Sequence, residues 1–151
     1  MKERLEDDLK VAMRAKDTLR RDTLRFVLSA VHNEEVARNR ADLTDADVQD
    51  VLQKQAKMRR DSIDAFRKGD RPELVAKEEG ELAIIQAYLP QQLTEAEVRA
   101  VVTRVIGEVG AAGPRDMNKV MPKVMAETKD RADGKTVAAL VQALLKERAG
   151  P

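Results

Sequence analysis

The sequence predicts an all-α protein with an N-terminal long-helix subdomain and a C-terminal three-helix bundle. Three observations predict it. Apolar residues recur at three- and four-residue spacing through nearly every segment, no alternating β-branched run competes with them, and capping signatures stand between the periodic stretches. The length of 151 residues suits one domain or two small ones. Hydrophobic residues, at 42%, are enough for a core, while 36% charged residues demand heavily solvated faces.

In the first helix Leu5, Leu9, Ala12 and Met13 share a face before Lys16-Asp17. A second begins near Thr18, aligns Leu19, Thr23, Phe26, Val27, Ala30 and Val31, and runs to about Asn39, where "RNRAD" breaks the pattern. The third opens with Thr44 as N-cap and Asp47 three residues on, then carries Val48, Val51, Leu52, Ile63 and Phe66. "KGDRPE" ends it, with Gly69 suited to a left-handed C-cap and Pro72 to the first position of a fourth helix. That helix bears Leu74, Leu82, Ile85 and Tyr88 and stops before Pro90, which disfavours α geometry at Leu89.

The stretch "YLPQQLTEAEV" is the predicted boundary, separating an N-terminal helical subdomain at 1–90 from a C-terminal one at 94–148. Thr94 and Glu97 form a T-x-x-E capping box for a fifth helix with Val98, Val101, Val102, Val105 and Val109. "GAAGP" ends that helix. The sixth, from near Pro114, carries Met117, Val120, Met121, Val124 and Met125, and the seventh Val137, Leu140, Val141, Leu144 and Leu145. Pro122 inside the sixth cannot donate to the Asn118 carbonyl, so a kink or a break is expected there.

Composition narrows the function. Phe26, Phe66 and Tyr88 are the only aromatic residues, so recognition by base stacking is almost excluded. Without cysteine there is neither a disulfide framework nor thiolate chemistry. The first twenty residues carry charges throughout, which predicts no signal peptide, and no apolar run approaches the roughly 20 residues that span a bilayer. The expectation is a cytoplasmic protein with no membrane association. The formal net charge of +1 argues against a general polycation. It is shared unevenly, with 18 Lys/Arg against 19 Asp/Glu over residues 1–93 and 10 against 8 over 94–151.

No phosphate-loop, dinucleotide-fold or nucleophile-elbow pattern is present. His32, the only histidine, stands three residues before Glu35, a spacing that some metal sites use, but the reading here is a solvated helix face. Adjacent carboxylates such as Glu34-Glu35 and Glu78-Glu79 splay to different azimuths. Nothing assembles a nucleophile, a base and an oxyanion site, so no catalytic residue, metal or cofactor is assigned.

Between 114 and 135 lie Arg115, Lys119, Lys123, Lys129, Arg131 and Lys135, with Asp116, Glu127, Asp130 and Asp133 among them. Arg115, Lys119 and Lys123, four apart, form one stripe if the helix is straight. Asp133 is placed to cap the last helix, and Gly134 gives freedom at its start. Two readings stand side by side. In one, helix N–H groups and neighbouring cations hold backbone phosphates. In the other, Asp133 itself takes those N–H groups and the cations are ordinary solvated side chains.

The words "YLPQQLTEAEV", "DMNKVMPKVM" and "RADGKTVAALVQALL", with the earlier "LKVAMRAKDTLRRDTLRFVLSAV", resemble the GatB/YqeY family. That family comprises stand-alone YqeY-like proteins and the tail domain of the GatB component of glutamyl-/aspartyl-tRNA amidotransferase. The resemblance covers essentially the whole chain, departing at Asn118 and Asp130, where the family often has Gly. It implies an all-helical, two-part protein whose C-terminal unit matches the amidotransferase tail, which helps hold the tRNA body. Carried over, Lys119, Lys123, Lys129, Arg131 and Lys135 become candidate tRNA contacts, with Arg115 a weaker one. The family's carbon–nitrogen ligase label, with glutamine as amido-N-donor, describes parts that have no counterpart here. The expectation is therefore a non-catalytic tRNA-binding module. The alternative is a helical protein-interaction module that attaches to an aminoacyl-tRNA synthetase or an amidotransferase.

Overall fold

A computed structural model describes residues 1–39 and 42–150. Among these the chain forms seven α-helices and no strand, in the order α1 Lys2–Arg14, α2 Thr18–Ala37, α3 Asp45–Lys68, α4 Pro72–Gln86, α5 Glu95–Val109, α6 Met117–Thr128 and α7 Gly134–Ala149. A single 3-10 turn, Pro114–Asp116, precedes α6. The all-α reading holds. The break expected at "RNRAD" falls at Arg40 and Ala41, outside the described residues.

Local chemistry sets most helix ends. The Thr44 hydroxyl accepts from the Asp47 N–H at 3.1 Å, and the Asp47 carboxylate takes the Thr44 N–H at 3.0 Å. Thr94 and Glu97 repeat this box at the start of α5. Such caps satisfy N–H groups that have no intrahelical acceptor, and each contributes about 1 kcal/mol. Asp17, not singled out in the sequence, caps α2 through the Arg20 N–H at 3.1 Å. Gly110 ends α5 in the left-handed region at φ 66°. After α3 the expectation is corrected. Gly69 keeps φ −85°, and Asp70 takes the left-handed turn at φ 53°, a geometry that Asp tolerates because its short side chain bonds locally.

The helices fall into two compact units, one over Met1–Leu89 and one starting at Pro90. In the first, α3 packs along α4, α1 along α2, and α2 meets both α3 and α4. Leu5, Leu24, Val27, Val31, Leu52 and Ile85 are essentially sealed from solvent. Leu19 and Phe26, expected on the buried face of α2, are instead 39% and 57% exposed. Leu24 takes the inward azimuth between Thr23 and Val27.

Two polar devices brace this unit. The Tyr88 hydroxyl donates to Asp8 Oδ2, while the Arg4 guanidinium lies 4.7 Å from the Tyr88 ring centroid. Burial first, and then the bond to the Asp8 carboxylate, pushes the Tyr88 hydroxyl up to about 12. A phenol harder to ionise when folded than when unfolded stabilises the fold below its unfolded pKa near 10. That contribution disappears as pH rises through 10 to 12. The wild-type protein is therefore expected to lose about 2 kcal/mol more than Tyr88→Phe across this window, read from denaturant midpoints. Lys2, raised mainly by its hydrogen bond to Glu35, weakens the fold in the same direction, but equally in both proteins.

The second device is Arg59, only 6% exposed in mid-α3. Its Nη1 donates to Gln55 Oε1 at 2.6 Å, and its Nε faces Glu81 Oε2 at 3.4 Å as an ion pair without a hydrogen bond. The guanidinium carbon stands 5.1 Å from the Phe26 ring centroid. One buried cation thus ties α3 to α4 and steadies an exposed aromatic on α2.

In the second unit each of α5, α6 and α7 packs on the other two. The core is mostly valine, and its fully sealed residues are Val102, Val105, Val120, Val124, Val137 and Val141, with Leu145. Of the kink or break expected at Pro122, the break does not occur: α6 is continuous through it. Pro122 is exposed, and the flanking Val120 and Val124 are fully buried, so packing holds the helix across the missing N–H bond.

Candidate nucleic-acid interface

The basic cluster is organised by the junction between α6 and α7. The buried Thr128 hydroxyl donates to the Val124 carbonyl at 2.9 Å. The Thr128 carbonyl then accepts the N–H groups of Arg131 and Ala132 at 3.0 and 3.1 Å. Lys129 is extended, and Asp130 reverses the chain at φ 64°. Glycine is not required there, since Asp enters the left-handed region more readily than most residues.

The segment before α5 locks this turn in place. The Leu93 N–H donates to the Arg131 carbonyl at 2.7 Å. Gln92 Nε2 donates to the carbonyls of Asp130 and Pro90 at 3.0 and 2.8 Å. In return Arg131 Nε donates to the Gln91 carbonyl at 3.1 Å. Sequence reasoning had singled out neither glutamine. The available signal was a pair of side-chain amides between a proline and a capping box, where open backbone carbonyls need donors.

The candidate residues divide by what they touch. Lys119 is exposed, with Nζ 3.6 Å from Asp116 Oδ1. Asp116 in turn accepts the Ala112 N–H at 2.8 Å, which together with Lys119 holds its carboxyl below the ordinary Asp value. Arg131 is half-buried and engaged with backbone. Lys123, Lys129 and Lys135 are exposed, and among the described residues none of them enters an ion pair. Glu127, in the last turn of α6, pairs with Arg104 on α5, which also holds Glu108 at 2.8 Å. Arg115 is exposed in the 3-10 turn.

The expected Asp133 cap is corrected. Asp133 occupies the N-cap position of α7, but its carboxylate accepts from the Thr136 hydroxyl at 3.1 Å and from no helix N–H. The first N–H groups of a 16-residue helix are left without that side-chain acceptor, and Lys135 stands in the same turn. Gly134 is corrected as well. Its φ is ordinary, and a Cβ there would make only ordinary contact, 3.4 Å from Met125 Cε.

The other candidates are more plainly placed. His32 is exposed, with Nδ1 3.9 Å from Glu35 Oε2, and Glu35 is also held by Lys2 Nζ at 2.7 Å. Among the described residues no group of three or more His, Cys, Asp or Glu side chains is placed to hold a metal ion. No helix among them is long and apolar enough to cross a membrane.

Residues 2–145 match the family model described as Yqey-like protein. The chain is 40% identical over 112 residues to a protein of Lachancea thermotolerans named "Altered inheritance of mitochondria protein 41, mitochondrial", covering 73% of this chain and 60% of that relative. A Kluyveromyces lactis protein of the same name is 40% identical over 113 residues, with the same coverage. One from Saccharomyces cerevisiae is 38% identical over 94 residues, covering 62% of this chain and 51% of the relative. The chain thus spans less than two thirds of the length of the curated relatives it matches. Their names overturn the cytoplasmic location expected from composition, because these relatives are named as mitochondrial proteins. A balance of charges does not distinguish compartments.

Proposed function

The chain belongs to the YqeY-like family, and from that premise we propose that it is a tRNA-binding module with no reaction of its own. Its second unit holds backbone phosphates at the α6–α7 junction. The observation that carries this reading is the division of charge. Glu127, Asp116 and Asp133 are each engaged elsewhere, and Lys129 and Lys135 remain exposed beside the start of α7 and Lys123 exposed in mid-α6, with no ion pair among the described residues. Cations beside unbound helix N–H groups suit a phosphate, which meets both the dipole and the ammonium groups. Lys119 contributes at the edge, sharing its charge with Asp116, and Arg131 mainly positions the turn. With no aromatic residue in this unit, the binding follows shape and phosphates rather than bases.

The test is fluorescence anisotropy with end-labelled tRNA, bulk cytosolic and mitochondrial, at low ionic strength. Saturable binding is expected, with little preference between tRNA species. Absence of binding at the lowest salt would remove this reading. The alternative of a protein-interaction module attaching to a synthetase or an amidotransferase would then lead, tested by recovery of such a partner after nuclease treatment.

A further inference from the structure

The first unit contains a cleft of ≈ 370 Å³ between α2, α3 and α4 that the tRNA reading does not use. Leu19, Phe26 and Met58, at 39%, 57% and 53% exposure, all line it. Exposed apolar side chains scattered singly need no explanation, but three converging on one trough do. Phe26 is also held in place. Arg59 stands 5.1 Å from its ring centroid and is itself fastened to Gln55 and Glu81. An aromatic anchor already steadied in the free protein loses little entropy on binding, the usual character of a dominant interface residue.

Charge selects the occupant. Arg59 is consumed at the floor of the cleft by Gln55 and Glu81, and Asp22 by Arg21 at 2.9 Å. Among the described residues neither Lys77 nor Glu78 forms an ion pair. Burial and the neighbouring Glu81 outweigh Arg59 and Lys77 at Glu78, so its carboxyl ionises less readily than an ordinary one. An incoming cation would relieve that penalty, and it suits a lining in which Asp22, Glu78 and Glu81 outnumber Arg59 and Lys77.

We propose that this cleft docks a basic amphipathic helix of a partner protein, its apolar side chains on Leu19, Phe26 and Met58 and a Lys or Arg on Glu78. The helix lays one face into the trough, as amphipathic helices do in apolar grooves. Beside the cleft Gly80 leaves room for the Leu19 side chain, since a Cβ there would come within 2.9 Å of Leu19 Cδ2.

The probe is a labelled synthetic helix of leucine and lysine, leucines on one face, titrated into the full chain by anisotropy. Two controls accompany it, one with the leucines replaced by serine and one with the lysines replaced by glutamate. The chain's net charge of +1 gives no general attraction for a cationic peptide. The expected result is saturable binding of the leucine–lysine helix alone, weakened about tenfold or more by Phe26→Ser with Met58→Ser, and separately by Glu78→Lys. Amide shifts in the wild-type complex should centre on Leu19, Phe26, Met58 and Gly80. All three substituted residues are at least partly exposed, and circular dichroism checks that the variants fold. No saturable binding, equal binding of either control, affinity that survives both variants, or shifts centred elsewhere would overturn the proposal. These positions lie outside the lysine cluster, so tRNA binding should be unchanged and the two readings stand or fall separately.

Discussion

Arg59→Ala is expected to lower the unfolding free energy by about 3 kcal/mol, measured by urea denaturation. Gln55 and Glu81 lose their shared partner, and Glu81, whose side chain is 16% exposed, keeps a largely buried carboxylate without its ion-pair partner. Removing one member of a buried pair costs far more than the pair contributes, because the survivor stays desolvated. Arg59→Met together with Glu81→Leu should therefore recover most of the loss, since neither charge remains. A Phe26/Arg59 double-mutant cycle should leave a coupling of about 0.5–1 kcal/mol for the stacked pair.

Replacing Lys123, Lys129 and Lys135 together with alanine is expected to weaken tRNA binding about a hundredfold near 0.1 M salt. Each phosphate neutralised releases most of one counterion, so three lost contacts change the affinity by roughly the cube of a three- to eightfold step. The fold should be almost unaffected, within about 0.5 kcal/mol, because all three side chains are exposed and enter no ion pair among the described residues. Arg131→Ala should behave oppositely. It removes the bond to the Gln91 carbonyl that ties the turn to the segment before α5, costing about 1 kcal/mol of stability with a smaller change in affinity.

Two helix starts were legible because their caps are reciprocal and local. Thr44 with Asp47 and Thr94 with Glu97 form their boxes within four residues, so nothing distant can overrule them. The valine faces of α5, α6 and α7 were legible for a similar reason, since helical periodicity alone brings Val102, Val124 and Val141 inward. Phe26 and Arg59 were not. Periodicity assigns an aromatic inward and an arginine outward, whereas here Gln55, Glu81 and the narrow α2–α4 approach at Gly80 reverse both. The left-handed position after α3 was misplaced by one residue because both Gly69 and Asp70 can supply it.

In the candidate site the lysine positions could be read, but their freedom could not. Whether Glu127 neutralises a neighbouring lysine depends on Arg104 from α5, and whether Asp133 caps α7 depends on competition from the Thr136 hydroxyl. The first is a tertiary contact, and the second turns on which of two nearby donors the Asp133 rotamer meets.

The most direct test is the slope of log affinity against log salt for tRNA, wild type beside Lys123→Ala/Lys129→Ala/Lys135→Ala. A wild-type slope steeper by about 2 to 3 than that of the variant is what phosphate contacts at these three lysines predict. Equal slopes, with tRNA still bound, would contradict a phosphate site at the α6–α7 junction.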